Sequence, residues 1–445
     1  MKCNCVIFSF VLAAFTLAEI NVSALPPQWM SQNGKPDSLS LPRILKQVLT
    51  TYPTVVRAQE AIKAAEAEID MAKSVYYPNI SANAGYTRID PVPELTFPGL
   101  GHFIMAPNNN YNAGVNIYEN IYDFERTTRK VQLETSKREI SEKNVELVRQ
   151  RLTLVTSVSY YTLVYLQEAI RIKESQIETL QKHLDFVTRK EQTGSATQYE
   201  ILSTQVRLSS TENQKVDLVT SGQTQQAILN SMMGLPVRSP LTVQGNFVSS
   251  QPGISPDSLI IYALDHRYEM AMAHLKAEQD QLNLRSVKAM DNPTLSVFVT
   301  GGAKNGYIPD LNKLTPNYAA GVGLNVPIFD AFRRRNTIRL ANSQINVSRS
   351  DMDQVSRDIS TEVYQNETSL KASLKKIDQG MLQVKQAEAA LDLASVSFKT
   401  GAITNLDLLD AETALEESRV NLLRARTDYA INIVRLNISV GKPIQ

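Results

Sequence analysis

Cysteine is almost missing from this chain. Of 445 residues only Cys3 and Cys5 are cysteines, and both precede an apolar core that runs from Val6 to Ala18. With Lys2 before that core and Val22-Ser23-Ala24 after it, residues 1–24 read as a secretory signal cleaved after Ala24. A membrane anchor is the other reading of such a run, but it is short for a span. No Leu-small-small triplet precedes either cysteine, so no lipobox is found. The mature chain then has no cysteine, which excludes disulfides, thiolate metal sites and a cysteine nucleophile. One Trp and 7% aromatics leave no platform for stacking bases. A net charge of +1 gives no reason to expect nucleic acid as a partner. The four histidines, His102, His183, His266 and His274, are scattered, and no metal-ligand spacing, phosphate loop or nucleophile elbow occurs. Neither an enzyme nor a cofactor is expected. Beyond residue 24 no apolar run is long enough for a membrane helix, so any membrane role needs β-strands.

What is present is a duplication. Ile121-Tyr122-Asp123 recurs as Ile328-Phe329-Asp330, Gly114 as Gly321, Thr193-Gly194 as Thr400-Gly401, and Gly234-x-Pro236 as Gly441-x-Pro443. All share an offset of 207. Pro78 and Pro293 keep an offset of 215, as do Tyr52 and Arg267, so one length difference of 8 residues lies between Pro78 and Gly114. Loops absorb such insertions. The expected organisation is a tail at 25–38, a first repeat at 39–238, a linker at 239–256 and a second repeat at 257–445.

Each repeat opens with a helical pattern, at 39–76 in the first half, that Pro78 is expected to stop. Alternating stretches follow. Ile80, Ala82, Ala84 and Tyr86 share one face, as do Ala113, Val115 and Ile117. Leu295, Val297 and Val299 alternate with polar residues, and Val322 and Leu324 with glycines. These predict one hairpin per half with a single greasy face, joined in the first half by a Pro/Gly/Asn-rich link at about 90–110. Between Asp123 and Thr193, and between Asp330 and Thr400, there is no proline, and Gly380 is the single internal glycine. Each stretch would make a helix of about 105 Å. Leu370, Leu374, Ile377, Met381 and Val384 step by four and three, and Leu408, Leu415, Leu422, Tyr429 and Leu436 step by seven. Both read as coiled-coil seams, with the buried face of an ordinary bundle as the alternative.

Gly194 and Gly401 fall where a long helix ends, as left-handed caps do. Thr197-x-x-Glu200 and Thr404-x-x-Asp407 have the form of a capping box that starts the next helix. Both Thr-Gly stretches are therefore tight turns at the far end of a rod. Asp407 and Asp410 share one face of that first turn. Carboxylates favour a helix N-terminus through its dipole. Multiplied by symmetry, they would instead form an acidic ring that controls cations.

Four short strands cannot close a barrel, and lipid tolerates no open edge. Several chains must share one barrel, and three would give twelve strands. At this point the residues resemble the TolC family of outer-membrane efflux and secretion channels. The resemblance rests on Pro78 and Pro293, on "ENIYD" at 119–123 and "VPIFD" at 326–330, and on the two Thr-Gly turns. "LLDAETALEESRVNLLRARTDYAINIVRLN" at 408–437 and "VGKP" at 440–443 complete it. It implies a mainly α fold with a membrane β-barrel part: a homotrimer with a twelve-stranded barrel in outer-membrane lipid and a helical tunnel in the periplasm. It also implies a periplasmic adaptor and an inner-membrane transporter of the RND or ABC type as partners. By the same resemblance Asp407 and Asp410 fall on the acidic constriction of the gate. Phe398 and Ile403 fall where some members carry a polar latch, so apolar contacts at Phe398 are expected to replace it.

Two other readings stay open on the residues alone. One is a soluble periplasmic coiled-coil scaffold or adaptor in which the strands form a small closed domain. The other is an enzyme, for which no constellation appears. Arg333, Arg334, Arg335 and Arg339 open the second rod, where the dipole disfavours cations. They read as a solvated face or as contacts to lipid phosphates.

Overall fold

The computed structural model describes residues 38–99, 101–245 and 256–442. The expected signal, all but the last residue of the expected tail, and residues 246–255 of the expected linker lie outside the described residues.

The helical start of each half is two helices rather than one. In the first half α1 (Leu41–Thr51) and α2 (Pro53–Lys73) meet at Tyr52, which is extended at φ −67°, ψ 131°. Pro53 causes the break, because its ring crowds a helical conformation at the residue before it. A single turn at Ser74–Tyr76 follows, so the helix is over before Pro78 is reached. In the second half α5 (Pro256–His266) and α6 (Tyr268–Ala289) meet at Arg267, again extended at φ −75°, ψ 137°, but with no proline. Here the side chain explains the break. Arg267 is only 5% exposed. It donates to both carboxylate oxygens of Glu269, at 2.7 and 3.0 Å, and to Glu362. A buried guanidinium needs these partners, and the kink lets it reach them.

The alternating stretches form β1 (Asn79–Arg88), β4 (Asn109–Tyr122), β5 (Thr294–Lys304) and β6 (Thr315–Asn325). They make one antiparallel sheet in the order β1-β4-β5-β6, so the hairpins of the two halves join at β4–β5. The Pro/Gly/Asn-rich link expected at about 90–110 lies between β1 and β4. It carries a small hairpin, β2 (Glu94–Phe97) with β3 (Gly101–Ile104).

Beyond each hairpin runs a helix of 67 residues, α3 (Arg126–Gln192) and α7 (Arg333–Lys399), each about 100 Å long. The two junctions are alike. Phe124 and Glu125, then Ala331 and Phe332, hold positive φ between 50° and 70°. Asp123 and Asp330 then receive backbone N–H bonds from Thr127 at 2.8 Å and Arg334 at 2.6 Å. Two left-handed residues turn the strand into the helix, and an aspartate caps its first turn.

The chain returns along α4 (Gln198–Met232) and α8 (Asn405–Val440). Helices α3 and α8 pack together and join the two hairpins, leaving α4 and α7 on the flanks. Helix α8 is the shared one. Its Ala430, Val434 and Ile438 enter a core with Leu163, Val164 and Leu229, while its Tyr429, Ile433 and Leu436 enter another with Ile359, Val363 and Leu370. Leu408, Leu415, Tyr429 and Leu436 of the expected seam are buried. Met381 is not; its neighbour Gly380 makes the contact instead, and a Cβ there would stand 3.3 Å from Leu422. Residues 239–245, read as linker, pack on the first half: Leu241 and Val243 are buried there, and Leu39 bridges Val243.

Candidate functional site: the helical tip and the open sheet

At the tip both turns form as expected. Gly194 and Gly401 take φ of 73° and 80°. The capping box is complete at α8 only. Thr404 Oγ1 accepts from the Asp407 N–H at 3.2 Å, and the Thr404 N–H donates to Asp407 Oδ2 at 2.8 Å. The Thr404 hydroxyl, which also donates to Asp407 Oδ2 at 2.6 Å, and then the Thr404 N–H hold the Asp407 carboxyl below its ordinary pKa. At α4 only one bond exists, from the Glu200 N–H to Thr197 Oγ1 at 3.3 Å.

The two aspartates have different occupations. Asp407 is tied to its own turn. Asp410 reaches Arg207 on α4, Nη2 to Oδ1 at 3.0 Å, and so joins the two hairpins. Phe398 is buried at the same junction with Val187, Ile201 and Leu408, and Ile403 packs against this cluster. His183 and Phe186 lie 5.5 and 6.2 Å from the Phe398 ring, and Lys190 Nζ lies 5.0 Å above it.

Polar contacts lie beside the apolar ones at Phe398. Buried His183 donates from Nε2 to Asn405 Oδ1 at 2.6 Å. The Asn405 amide nitrogen faces Glu200 O, Ser203 Oγ and Thr204 Oγ1 at 3.3–3.4 Å. Burial pushes the His183 pKa down, so the neutral ring is favoured. Further along, Glu412 and Glu416 are 9% and 7% exposed and line a cavity of about 360 Å³ between α3, α7 and α8. One carboxylate oxygen of each has no hydrogen-bond partner. Burial and the charge of Glu416 push Glu412 up to about 7, against a smaller opposing pull from Arg207. Arg419 holds Glu416 and also reaches Glu388 on α7. His183, Asn405, Arg207 and Glu412 were not singled out for the tip. Offset by 207, Asn405 falls opposite Gln198 and Asp410 opposite Ser203, so the repeat carries no trace of these links. Among the described residues no cluster could hold a metal ion.

At the other end the register sorts the sheet into two faces. Ile80, Ile117, Val299 and Ala320 line up across the four strands, as do Ala82, Val115, Gly301 and Tyr318. Leu295 pairs with Leu324 and Val297 with Val322 on this same face. Charge enters the face near its ends, at Arg88 and Glu119. The opposite face carries Ser81, Asn83, Asn116, Thr300 and Asn317, with the Phe298 ring lying over Gly321. Val322 and Leu324 are more than 60% exposed. Among the described residues no α-helix is packed on either face, the turn at Ser74–Tyr76 meets β4, and β1 and β6 are open edges. The strands do not make the small closed domain that a soluble scaffold would need.

The family model for outer membrane efflux proteins matches residues 44–235 and 259–442, once in each half. The chain belongs to the outer membrane efflux protein family. It is 24% identical over 426 residues to the pyoverdine export outer membrane protein OpmQ of Pseudomonas aeruginosa, covering 92% of this chain and 86% of that one. It is 19% identical over 418 residues to the outer membrane protein TolC of Escherichia coli, covering 90% and 82%. The alkaline protease secretion protein AprF of Pseudomonas aeruginosa is 22% identical over 338 residues, covering 75% and 70%. In fold the chain matches the outer membrane protein VceC of Vibrio cholerae with a TM-score of 0.76 at 18% identity, over 90% of this chain and 96% of that one. The Neisseria gonorrhoeae MtrE channel in its open state gives 0.72 at 16%, over 90% and 89%. The protein is thus a TolC-like efflux channel protein of the outer membrane; its fold is mainly α, as the resemblance implied, and its four-stranded sheet is consistent with the barrel part without closing a barrel by itself.

Proposed function

We propose that three copies of this chain assemble into one exit duct, gated at the helical tip, that serves an efflux pump or a type I secretion system. One observation carries the reading. A four-stranded sheet with two open edges and one apolar face stands uncovered on helices about 100 Å long. In lipid such a sheet must pair its edges with other copies. The apolar face with Leu295, Val297, Val299, Val322 and Leu324 then meets lipid, and the polar face lines the lumen.

At the tip, the turns at Gly194, Thr197, Glu200, Gly401 and Thr404 shape the entrance. Asp410, through Arg207, holds the second hairpin against the first. Asp407 fixes the turn that presents it. Phe398 and Ile403 supply the apolar part of the junction. Opening moves α7 and α8 away from α3 and α4, which breaks the Arg207–Asp410 pair and uncovers Phe398. A periplasmic adaptor and an inner-membrane transporter drive this motion. The relatives named for pyoverdine export and alkaline protease secretion support an export role.

The test is the native mass of the protein extracted from isolated outer membranes in mild detergent. A trimer supports the duct. A monomer or dimer would refute the shared barrel.

A further inference from the structure

We propose that the junction between sheet and rods binds the phosphate headgroups of anionic phospholipid in the inner leaflet of the outer membrane. The proposal rests on the membrane placement of the sheet given above. It begins with a cost. Arg334, Arg335 and Arg339 occupy the first two turns of α7, where the helix dipole repels cations. All three are exposed, and among the described residues no carboxylate pairs with their guanidinium groups. Arg333 beside them has Asp291 at 3.8 Å. Asp330 caps the helix through the Arg334 N–H at 2.6 Å, but that bond leaves the three guanidinium groups without a carboxylate partner among the described residues.

The order of residues along the chain says where their anion lies. The apolar sheet face ends at an exposed aromatic pair in each half, Tyr122 with Phe124 and Phe329 with Phe332, at ring distances of 4.6 and 5.6 Å. Aromatic rings mark the edge of the hydrocarbon. The arginines come immediately after Phe332, and Arg333 to Arg339 spans about 9 Å of helix. The headgroup layer beyond the hydrocarbon is about 5–7 Å deep. Apolar, aromatic and cationic residues thus follow in the order in which a membrane presents acyl chains, interface and phosphate.

A second feature lies at the same level. A groove of about 460 Å³ between the start of α3 and the end of α6 is lined by Arg129, Arg285, Lys288 and Glu125. Glu125 is taken by Arg129 at 2.8 Å, and among the described residues Arg285 and Lys288 have no carboxylate partner. The groove is an open cationic recess of headgroup size. Paired arginine fork and phosphate oxygens give the strongest of such contacts.

The test titrates phosphatidylglycerol into the detergent-purified full-length protein and into its R334Q/R335Q/R339Q variant. Binding is read by native mass spectrometry, with phosphatidylcholine and inorganic phosphate as comparisons. Each arginine near an anionic surface is worth about fivefold, so the triple variant should bind roughly 100-fold more weakly. Binding by the unaltered protein should also weaken as salt rises. If the triple variant does not assemble, the Arg285→Gln, Lys288→Gln variant is measured in its place, with a loss of more than tenfold expected. Equal affinity of variant and parent overturns the proposal. So does equal binding of phosphatidylcholine, saturation by free phosphate, or capture of an acidic protein with lipid binding unchanged. A protein absent from isolated outer membranes would overturn the membrane placement first, and separation of the cell membranes reads that independently of lipid binding.

Discussion

At the residue scale the tip is decided by side chains that titrate or pair. Glu412 is held at a pKa of about 7 against an ordinary 4.5. Between those values the folded tip carries a proton that the unfolded chain does not. The stability from protonated Glu412 is therefore complete below about pH 4.5 and is lost as pH rises through 7. The most it can contribute is about 3 kcal/mol. Thermal midpoints should fall between pH 5 and pH 8, and Glu412→Gln should flatten that fall; an unchanged slope would remove Glu412 from the account. Asp410 with Arg207 is a part-exposed pair, so a double-mutant cycle should give a coupling of about 0.5 kcal/mol. The proposed gate gives the pair a second readout. Arg207→Ala should raise the open probability in single-channel recordings, and equal openness would return the pair to a solvated contact. The aspartates themselves were legible in the sequence. Their different partners were not, because Arg207 lies 203 residues from Asp410.

At the scale of elements, the frames of the two halves could be read directly. Proline-free stretches gave the rods, alternation gave the strands, and Thr-Gly gave the turns. What escaped was set by contacts between elements. The kink at Arg267 has no local signal, since burial of its guanidinium against Glu362 decides it. The β4–β5 pairing that welds the halves together makes its own demand. A Cβ at Gly302 would stand 2.2 Å from the Ala113 carbonyl oxygen, whereas one at Gly301 would meet nothing within 4 Å. Gly302→Ala should therefore cut the yield of assembled channel in outer membranes, while Gly301→Ala should not. Equal yields would mean that the two hairpins tolerate separation.

For the whole molecule the two faces of the sheet make opposite predictions. Val299 lies on the apolar face between Ile117 and Ala320, and Thr300 on the polar one. A lysine facing lipid near the midplane costs about 2–4 kcal/mol in a barrel, and a lumenal one far less. Val299→Lys should block assembly in the outer membrane, and Thr300→Lys should assemble and change conductance. If both variants assemble alike, the face assigned to lipid is wrong. Under the proposed shared barrel, the protomer's stability is inseparable from its assembly.

The sequence by itself determined the duplication, the strand faces, the length of the rods and the position of the turns. Each is a periodic or local property, written in residues close together along the chain. Only the tertiary structure decided how the two hairpins are held to each other. His183 meets Asn405, Arg207 meets Asp410, and Glu412 is shut away from water only when α8 lies against α3. Those contacts join residues some 200 positions apart, and no local preference encodes them. Packing of the apolar seam brings them together; buried His183 and Asn405 then pair where water is excluded, while Arg207 and Asp410 pair at the exposed margin.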